Sequence, residues 1–307
     1  MLRYTLNRVL QLIPTILGIY TLVFLLMRVL PGDPAQFLAG AHDDAQTIAA
    51  LRASLHIDQP VWTQYVGFLS DMLHGNLGNS FITRRPVLDM IGLALPNTAV
   101  LAITAMLIAV GIGVPLGIIA ATRRNSLWDT ISRLIALIGV SIPVFWLGLQ
   151  LQILFGLQLK LFPVSGLGFD NHLVLPAICA SMGMLALIMR MTRSSLLDIL
   201  NQDYIRTAYS KGLTARRVNV RHALSNAVLP IVTVWGTSVA GLLSGTLLVE
   251  VIFSWPGVGR QLVDAITQRD YPMVQGLVLL FALIYTLMNM LIDIAYPLLD
   301  PRIRYNG

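Results

Sequence analysis

The sequence predicts an all-α membrane protein with six transmembrane helices. Charged residues make up 12% of its 307 residues and hydrophobic residues 56%, whereas about 25% of residues are charged in ordinary soluble proteins. The mean hydropathy is +0.73. Six long runs contain no Asp, Glu, Lys or Arg: residues 9–27, 90–122, 134–159, 171–189, 222–249 and 271–292. Because about 20 helical residues cross a hydrocarbon core of about 30 Å, each run predicts one span, and a water-soluble enzyme or a secreted disulfide-stapled module is excluded.

The first run has two possible interpretations, a cleaved signal peptide or a retained helix. Arg3 and Arg8 precede it, as basic residues precede the apolar core of a signal peptide. That core is usually about 7–15 residues long, whereas this run has 19 residues and no small-residue cleavage pair after it. We therefore expect residues 1–30 to form the N-terminus and a retained first transmembrane helix.

Residues 31–95 form the longest segment between two runs and carry a net charge of −3. The pattern predicts two short helices, the first from about Asp44 to Leu55. The second begins at Pro60, which suits a first helical turn, and ends before Gly75. Apolar residues recur along the second helix at helical spacing: Val61, Trp62, Tyr65, Val66, Leu69, Met72 and Leu73. We expect a helical cap on the outer membrane face that buries this stripe.

The distribution of basic residues predicts the orientation. Six spans place both termini on one side, and 14 of the 21 Lys and Arg residues then fall in segments on that side. Basic residues mark cytoplasmic segments, so both termini are predicted to be cytoplasmic. The net charge of +6 is explained as a topology signal, and no nucleic-acid partner is expected.

Small residues in the runs predict how the helices pack. Gly113 and Gly117 are four residues apart, as are Gly241 and Gly245, and this spacing allows two helix backbones to approach closely. The single cysteine, Cys179, lies inside the fourth run and is predicted to be a buried core residue, since no intrachain disulfide is possible.

The inner segment 190–221 predicts a short helix with defined ends. Asp203 is suited to cap its start, where a negative charge complements the helix dipole. Lys211 falls in its last turn, and Gly212 follows as a residue that adopts positive φ without strain. Thr214 is suited to cap a second helix.

One face of this short helix is apolar, with Ile205, Ala208 and Tyr209 at i, i+3 and i+4, while Arg206 points elsewhere. A helix of about nine residues is marginal alone in water, because helices shorter than about 12 residues rarely persist. We therefore expect it to need a partner surface on another subunit.

These residues resemble the cytoplasmic signature of binding-protein-dependent ABC permeases, whose general form is E-A-A-x3-G-x9-I-x-L-P. Ala208, Gly212 and Leu224 match that form. Other residues depart from it, namely Arg206, Thr207, His222 and Ser225. The form R-T-A-x-x-K-G is typical of the oligopeptide, dipeptide, glutathione and nickel importers. Among the binding-protein-dependent ABC permeases, the chain therefore resembles this importer group in particular.

Further short segments, in order along the whole chain, resemble the same group. They are Pro31-Gly32-Asp33-Pro34, Gly139-Val140-Ser141-Ile142-Pro143, Trp255-Pro256-Gly257-Val258-Gly259, Arg269-Asp270-Tyr271-Pro272 and Asp300-Pro301-Arg302-Ile303-Arg304. The chain looks like the first of the two permease subunits that these importers use.

The resemblance implies a type I ABC importer permease in the bacterial inner (cytoplasmic) membrane. Its implied partners are a second homologous permease, two cytoplasmic ABC ATPases and an extracytoplasmic solute-binding protein. It also implies an extracytoplasmic helical loop at 31–95 and a five-helix core at 96–307 with a cytoplasmic coupling loop at 194–226. ATP and magnesium would bind the ATPases. The sequence has no G-x-x-x-x-G-K-[ST] phosphate loop, so this chain is expected to be no enzyme and to hold no cofactor.

Two groups of site residues are expected, the first from the resemblance and the second from the position of Glu250 at the end of the fifth run. The ATPase-coupling residues are Asp203, Arg206, Thr207, Ala208, Lys211, Gly212, Leu213, Arg221 and His222. Residues of the translocation path or its gate are Glu250, Trp255, Pro256 and Gly257. Glu250 is the only glutamate and directly follows the fifth run, where interfacial anchoring is the alternative role. The five histidines are scattered, so no metal site is expected.

The expected cargo is a short peptide or a related small solute, with a nickel chelate or glutathione as alternatives. A different class of function is a secondary transporter driven by an ion gradient, which favours paired acids within the membrane. A membrane-embedded enzyme is the third class. The spans carry almost no ionisable residues, which argues against both.

Overall fold

A computed structural model of the chain describes residues 2–29, 32–40, 44–168, 170–227 and 246–299. Within these ranges the regular elements are helices, and the one β-type pairing is an isolated bridge between Asn79 and Pro86. The helices are α1 (Leu2–Val29), α2 (Pro34–Ala39), α3 (Ala45–Ser54), α4 (Val61–Leu73), α5 (Val87–Thr122), α6 (Leu127–Ser141), α7 (Val144–Leu151), α8 (Asn171–Leu200), α9 (Asp203–Ser210), α10 (Ala215–Arg217), α11 (246–252), α12 (Val258–Thr267) and α13 (Tyr271–Leu299).

The chain divides into two compact units. The first unit lies within Met1–Thr98 and Pro256–Leu287, and the second within Ala99–Trp255 and Met288–Gly307. The middle of the predicted fifth span, including Gly241 and Gly245, falls outside the described residues.

The first unit confirms the two short helices predicted between the first and second runs. Asp44 caps α3 by accepting a hydrogen bond from the backbone N–H of Thr47 at 2.9 Å, and hydrogen bonding from Thr47 lowers the pKa of this exposed carboxyl. Pro60 immediately precedes α4. The sequence analysis missed α2, which Asp33 caps through the backbone N–H of Ala35.

An aromatic cluster joins α4 to α1 and α13 in the first unit. Tyr20 and Phe24 of α1 are 1% exposed, and the ring of Tyr20 stacks on that of Phe68 with 5.7 Å between centroids. The Tyr20 hydroxyl donates to the carbonyl of Tyr65 at 3.0 Å. Tyr65, Leu69 and Met72 pack on this cluster. The remaining stripe residues are exposed on the chain itself: Val61, Trp62, Val66 and Leu73. Their burial against the outer membrane face stays a prediction.

A buried carboxylate fixes the loop before α5 in the first unit. Asp270 is 3% exposed and accepts hydrogen bonds from the Ser80 hydroxyl and from the backbone N–H of Phe81. Close packing continues from this anchor, because a Cβ added at Gly276 would lie 2.6 Å from a methyl of Val87. The Arg269-Asp270-Tyr271-Pro272 segment thus has a structural role at the start of α13.

The second unit is built around α8. In its most apolar 18-residue window, 56% of the residues are buried within the chain, against 22% for α5. A Cβ added at Gly117 of α5 would lie 2.6 Å from Cβ of Thr192 and 2.7 Å from the carbonyl of Met189. This close approach of two backbones confirms the packing predicted for Gly113 and Gly117.

The predicted third span is not one straight helix. Helix α6 and the segment Val144–Gln158, in which α7 continues as a π-helical stretch, differ in direction by 106°. The break lies at Ile142 and Pro143, where Ile142 has extended backbone angles, because proline lacks an N–H and disfavours the helical conformation of the residue before it. Three described helices are long and apolar enough to cross a membrane, or four when the bent pair counts as one span.

An ion pair connects the start of α6 to α8. The Asp129 side chain is fully buried. It accepts hydrogen bonds from Arg193 Nε at 2.7 Å and Nη2 at 3.0 Å, and from the backbone N–H of Asn125 at 3.0 Å. The sequence analysis did not identify this pair, because its members are 64 residues apart.

We predict that Gly117→Val destabilises the second unit. The added side chain would enter the space of the α8 backbone, and such overpacking costs about 1–3 kcal/mol. Gly111→Val is the matched control on the same helix, since an added Cβ there meets no atom within 4 Å. Thermal unfolding in detergent should show a lower midpoint for Gly117→Val only, and equal midpoints for the two variants would contradict this packing.

We also predict that Asp129→Asn lowers the free energy of unfolding by about 3 kcal/mol, because removing one partner of a buried pair leaves the other charge uncompensated. Asp264→Asn serves as the control, since Asp264 is 58% exposed and lies 3.8 Å from Arg260. Denaturant titration in mixed micelles measures both changes. A loss for Asp129→Asn no larger than that of the control would show that the pair does not hold α6 to α8.

Candidate coupling site

The short helix predicted at 203–211 is α9, Asp203–Ser210. Its N-cap is Gln202, and Asp203 is the first helical residue, so the predicted capping role of Asp203 is wrong. Its carboxylate lies 3.7 Å from Arg206 Nη1 in an exposed i, i+3 pair. A negative charge in the first turn still complements the helix dipole.

The apolar face of α9 packs on the same chain. Ile205 is 1% and Ala208 is 8% exposed, and both lie in a cluster with Ala121 near the end of α5 and Leu196 near the end of α8. The chain therefore supplies part of the partner surface that the sequence analysis assigned to another subunit. Tyr209, predicted on this face, is 45% exposed.

The C-terminal end of α9 has two capping hydrogen bonds. The N–H of Leu213 donates to the carbonyl of Ala208 at 3.3 Å, and the N–H of Gly212 donates to that of Tyr209 at 2.9 Å. This pair of bonds is a Schellman motif, which requires the left-handed conformation at the residue after the C-cap. Gly212 has φ +77° and Lys211 is the C-cap, so the predicted role of Gly212 as the C′ residue is confirmed.

The segment after Gly212 packs back on α9. Thr214 precedes α10 without a side-chain capping bond, and the helix continues as a π-helical stretch, Val218–Leu224. Val218 and Ala223 are fully buried in the cluster that holds Ile205. The Asn226 side chain donates to the hydroxyl of Tyr204 at 3.2 Å. The two helical segments therefore form one packed element at residues 203–226.

This element brings the predicted coupling residues together. Of these, Ala208 is buried, and Leu213 and His222 are half-buried. The exposed ones are Asp203, Arg206, Thr207, Lys211, Gly212 and Arg221. Tyr204, which is 44% exposed, extends the same surface and was missed by the sequence analysis. Exposed tyrosine and arginine side chains are typical of the residues that dominate protein–protein interfaces.

Two predicted path residues are buried in the second unit. Glu250 on α11 and Trp255 are both 0% exposed, and the backbone N–H of Trp255 donates to the carbonyl of Glu250 at 2.8 Å. Trp255 packs with Phe253 and Leu175 in one apolar cluster. In this conformation Glu250 lies in the interior of the chain, so its role in a path or at an interface stays a prediction.

The other two predicted path residues lie in the first unit. The Pro256 carbonyl accepts a hydrogen bond from the Asn97 side chain at 2.9 Å. Gly257 is the N-cap of α12, and the next N–H, that of Val258, donates to the Thr98 hydroxyl at 2.9 Å. The loop at Pro256 and Gly257 is thus fixed by two side chains of α5, Asn97 and Thr98. No cluster of three or more His, Cys, Asp or Glu side chains suited to a metal ion occurs among the described residues.

Two family comparisons together cover almost the whole chain. Residues 113–305 match the family described as "Binding-protein-dependent transport system inner membrane component". Residues 1–102 match "Binding-prot-dependent transport system membrane comp, N-term".

Similar proteins of known name match over the full length. The chain is 42% identical over 305 residues to the glutathione transport system permease protein GsiC of Escherichia coli (strain K12), which covers 99% of this chain and 100% of that protein. The protein of the same name from Salmonella typhimurium (strain LT2) shows the same identity and coverage.

Solved structures support the fold. Two crystal forms of the MetNI methionine ABC transporter in inward-facing conformations match with TM-scores of 0.58 and 0.56 at 17% identity. Each match covers 69% of this chain and 96% or 97% of the other chain. The chain therefore belongs to the family of binding-protein-dependent transport system inner membrane components, and it is a transmembrane permease subunit of an ABC importer of the oligopeptide and glutathione group.

Proposed function

We propose that this chain and a second homologous permease together form the translocation path of an importer for short peptides, glutathione included. Two ABC ATPases on the cytoplasmic side would power it, and an extracytoplasmic solute-binding protein would deliver the cargo. The relatives that are 42% identical over their whole length are named for glutathione transport, and glutathione is itself a short peptide. That full-length identity is the observation that carries the choice of cargo.

The proposed topology is six spans in a bacterial inner membrane with both termini in the cytoplasm. Support comes from the three long apolar helices, the bent pair α6–α7 and the shorter apolar helix Pro14–Val29. The uncharged run 222–249 supplies the sixth apolar segment. In this topology residues 31–95 are extracytoplasmic, and the core at 96–307 presents the coupling loop 194–226 to the cytoplasm, consistent with its excess of basic residues.

The coupling loop would dock on an ATPase, which would bind the ATP and magnesium that this chain is expected to lack. The exposed side of the packed element carries Arg206, Lys211 and Arg221 against one acidic residue, Asp203. Such a surface is complementary to an acidic groove. The opposite side of α9 is already buried within the chain. The element is therefore preorganised and loses less conformational entropy when it docks.

The burial of α9 supports a route by which docking would act on the membrane helices. Ile205 and Ala208 contact the cluster that contains Ala121 and Leu196, at the ends of α5 and α8. Movement of an ATPase against α9 would therefore displace the ends of two long helices. Nucleotide binding shifts the opening of the translocation path from one side of the membrane to the other only when one conformation of the permease prefers the docked geometry by a few kcal/mol.

Glu250, Trp255, Pro256 and Gly257 are proposed as part of the gate. A fully buried carboxylate is costly at membrane depth, and Glu250 follows directly on the fifth uncharged run. Burial of Glu250 and Trp255 suits a closed state, in which the carboxylate is withdrawn from any path. Opening would have to expose it.

We predict that Gly212→Val uncouples transport while leaving the protein in the membrane. Gly212 has φ +77°, a conformation that strains a β-branched residue, so the Schellman motif would be lost and α9 would tilt. Uptake by cells should fall at least tenfold at equal membrane levels of the subunit, measured by immunoblot.

Gly75→Val is the matched control for this experiment. Gly75 ends α4 in a second Schellman motif, with φ +76° and open space around the α-carbon. The backbone strain is the same, but the site lies in the other unit. Normal uptake by Gly212→Val, or an equal loss in Gly75→Val, would contradict the coupling role.

We predict that uptake of labelled dialanine by cells with the complete importer depends on ATP itself. Arsenate, which depletes ATP, should abolish uptake. A proton uncoupler should leave most of it intact while cellular ATP is maintained by fermentation. The opposite pattern, with uptake lost on collapse of the proton gradient alone, would identify an ion-driven secondary transporter.

A further inference from the structure

Arg28 lies beside a cavity of about 490 Å³ in the first unit. It is in the last turn of α1 and is half-buried. The carbon of its guanidinium group is 3.3 Å from the ring centroid of Phe24. Its hydrogen bonds go to neutral acceptors only, the carbonyl of Phe24 at 3.1 Å and the side-chain oxygen of Gln64 at 2.6 Å. Within the described ranges no carboxylate forms an ion pair with it.

A second buried donor lines the same cavity. Gln275 of α13 is 3% exposed, and its side-chain nitrogen has no hydrogen-bond partner in the part of the chain that the structure describes. The Nε atom of Arg28 is likewise buried without a partner. Buried donors that lack acceptors are costly and are rare in native structures. Arg28 and Gln275, which both line the cavity, therefore each carry one donor that lacks an acceptor among the described residues.

The geometry points to a binding site for the carboxylate of a small solute in this cavity, with Arg28 as its cation and Gln275 as a supporting donor. Each terminal nitrogen of a guanidinium carries two N–H groups. One N–H of Nη1 donates to Phe24 and one of Nη2 donates to Gln64, so each nitrogen keeps one further N–H. A carboxylate is the acceptor that matches this planar fork in a bidentate manner. The proposal rests on the proposed function, because the carboxylate would be that of the peptide cargo.

The size and charge of the cavity favour a solute over a single inorganic ion. Small-molecule sites commonly have volumes of about 300–1,000 Å³, and this cavity falls in that range. Its other ionisable side chains are His56, Asp71, Arg84 and Tyr271. With histidine and tyrosine neutral, the two arginines and one aspartate leave a net charge of +1, the sign that attracts a carboxylate.

The test compares two probes that differ only in the carboxylate. The full-length chain in lipid nanodiscs is titrated with dialanine and with its C-terminal amide in a calorimeter. Dialanine should bind at least tenfold more tightly than the amide. Inorganic phosphate at the same ionic strength should not displace it. Equal binding of the two peptides, no detectable binding of dialanine at millimolar concentration, or displacement by phosphate would overturn the proposal.

Two variants assign the effect to Arg28. Arg28→Gln should remove the preference for dialanine over its amide, whereas Arg84→Gln, which changes an exposed arginine of the same cavity, should keep most of it. A preference that persists in Arg28→Gln, or falls equally in both variants, contradicts the assignment. Should Arg28→Gln fail to elute as a single species, the comparison of dialanine, its amide and phosphate on the unmodified chain decides the question.

Failure of this site and failure of the proposed function give different results. ATP-dependent uptake by cells together with no carboxylate preference in the nanodisc titration would overturn the site alone. A clear preference for dialanine together with uptake that follows the proton gradient would keep the site and overturn ATP-driven import.

Discussion

Close contact between helix backbones is the constraint on which the second unit depends. Apolar side chains gain little by leaving lipid for a protein interior, so helices in a bilayer associate where their surfaces fit closely. Here α8 supplies the central surface. An added Cβ at Gly117 of α5 or Gly139 of α6 would lie 2.6 Å or 2.9 Å from a side chain on α8. Two neighbouring helices thus approach α8 through residues that have no side chain.

Polar contacts then fix the ends of helices that glycines bring together. The ion pair of Asp129 and Arg193 holds α6 to α8, and the Asp270 carboxylate holds a loop to α13 in the first unit. Both carboxylates are buried and both accept more than one hydrogen bond, so their desolvation is compensated.

Much of the fold could be predicted from local patterns in the sequence. The length of the runs without charged residues predicted the long apolar helices. Asp44 and Pro60 marked the starts of α3 and α4, and Gly212 marked the end of α9. These features depend on residues within a few positions of each other, and a sequence displays them directly.

Features that depend on distant residues could not be predicted in this way. The pairing of Asp129 with Arg193 and the approach of Gln275 to the cavity beside Arg28 require the tertiary arrangement. The bend after Ser141 had a local signal in Pro143. It was not predicted, because the uncharged run continues through this proline and indicates a single span. The surface beneath Ile205 came from the same chain, and short helices give no indication of whether their support is internal or external.

The two sides of α9 are subject to different constraints, one from packing within the permease and one from contact with another subunit. Its inward side chains, Ile205 and Ala208, are buried in the hydrophobic cluster of the permease itself, whereas Arg206, Thr207 and Lys211 are exposed. Outward residues are therefore free to diverge along with the subunit they meet. Under the proposed docking, substitution of the exposed residues of α9 would change which ATPase subunit a permease accepts, without any change to its membrane helices.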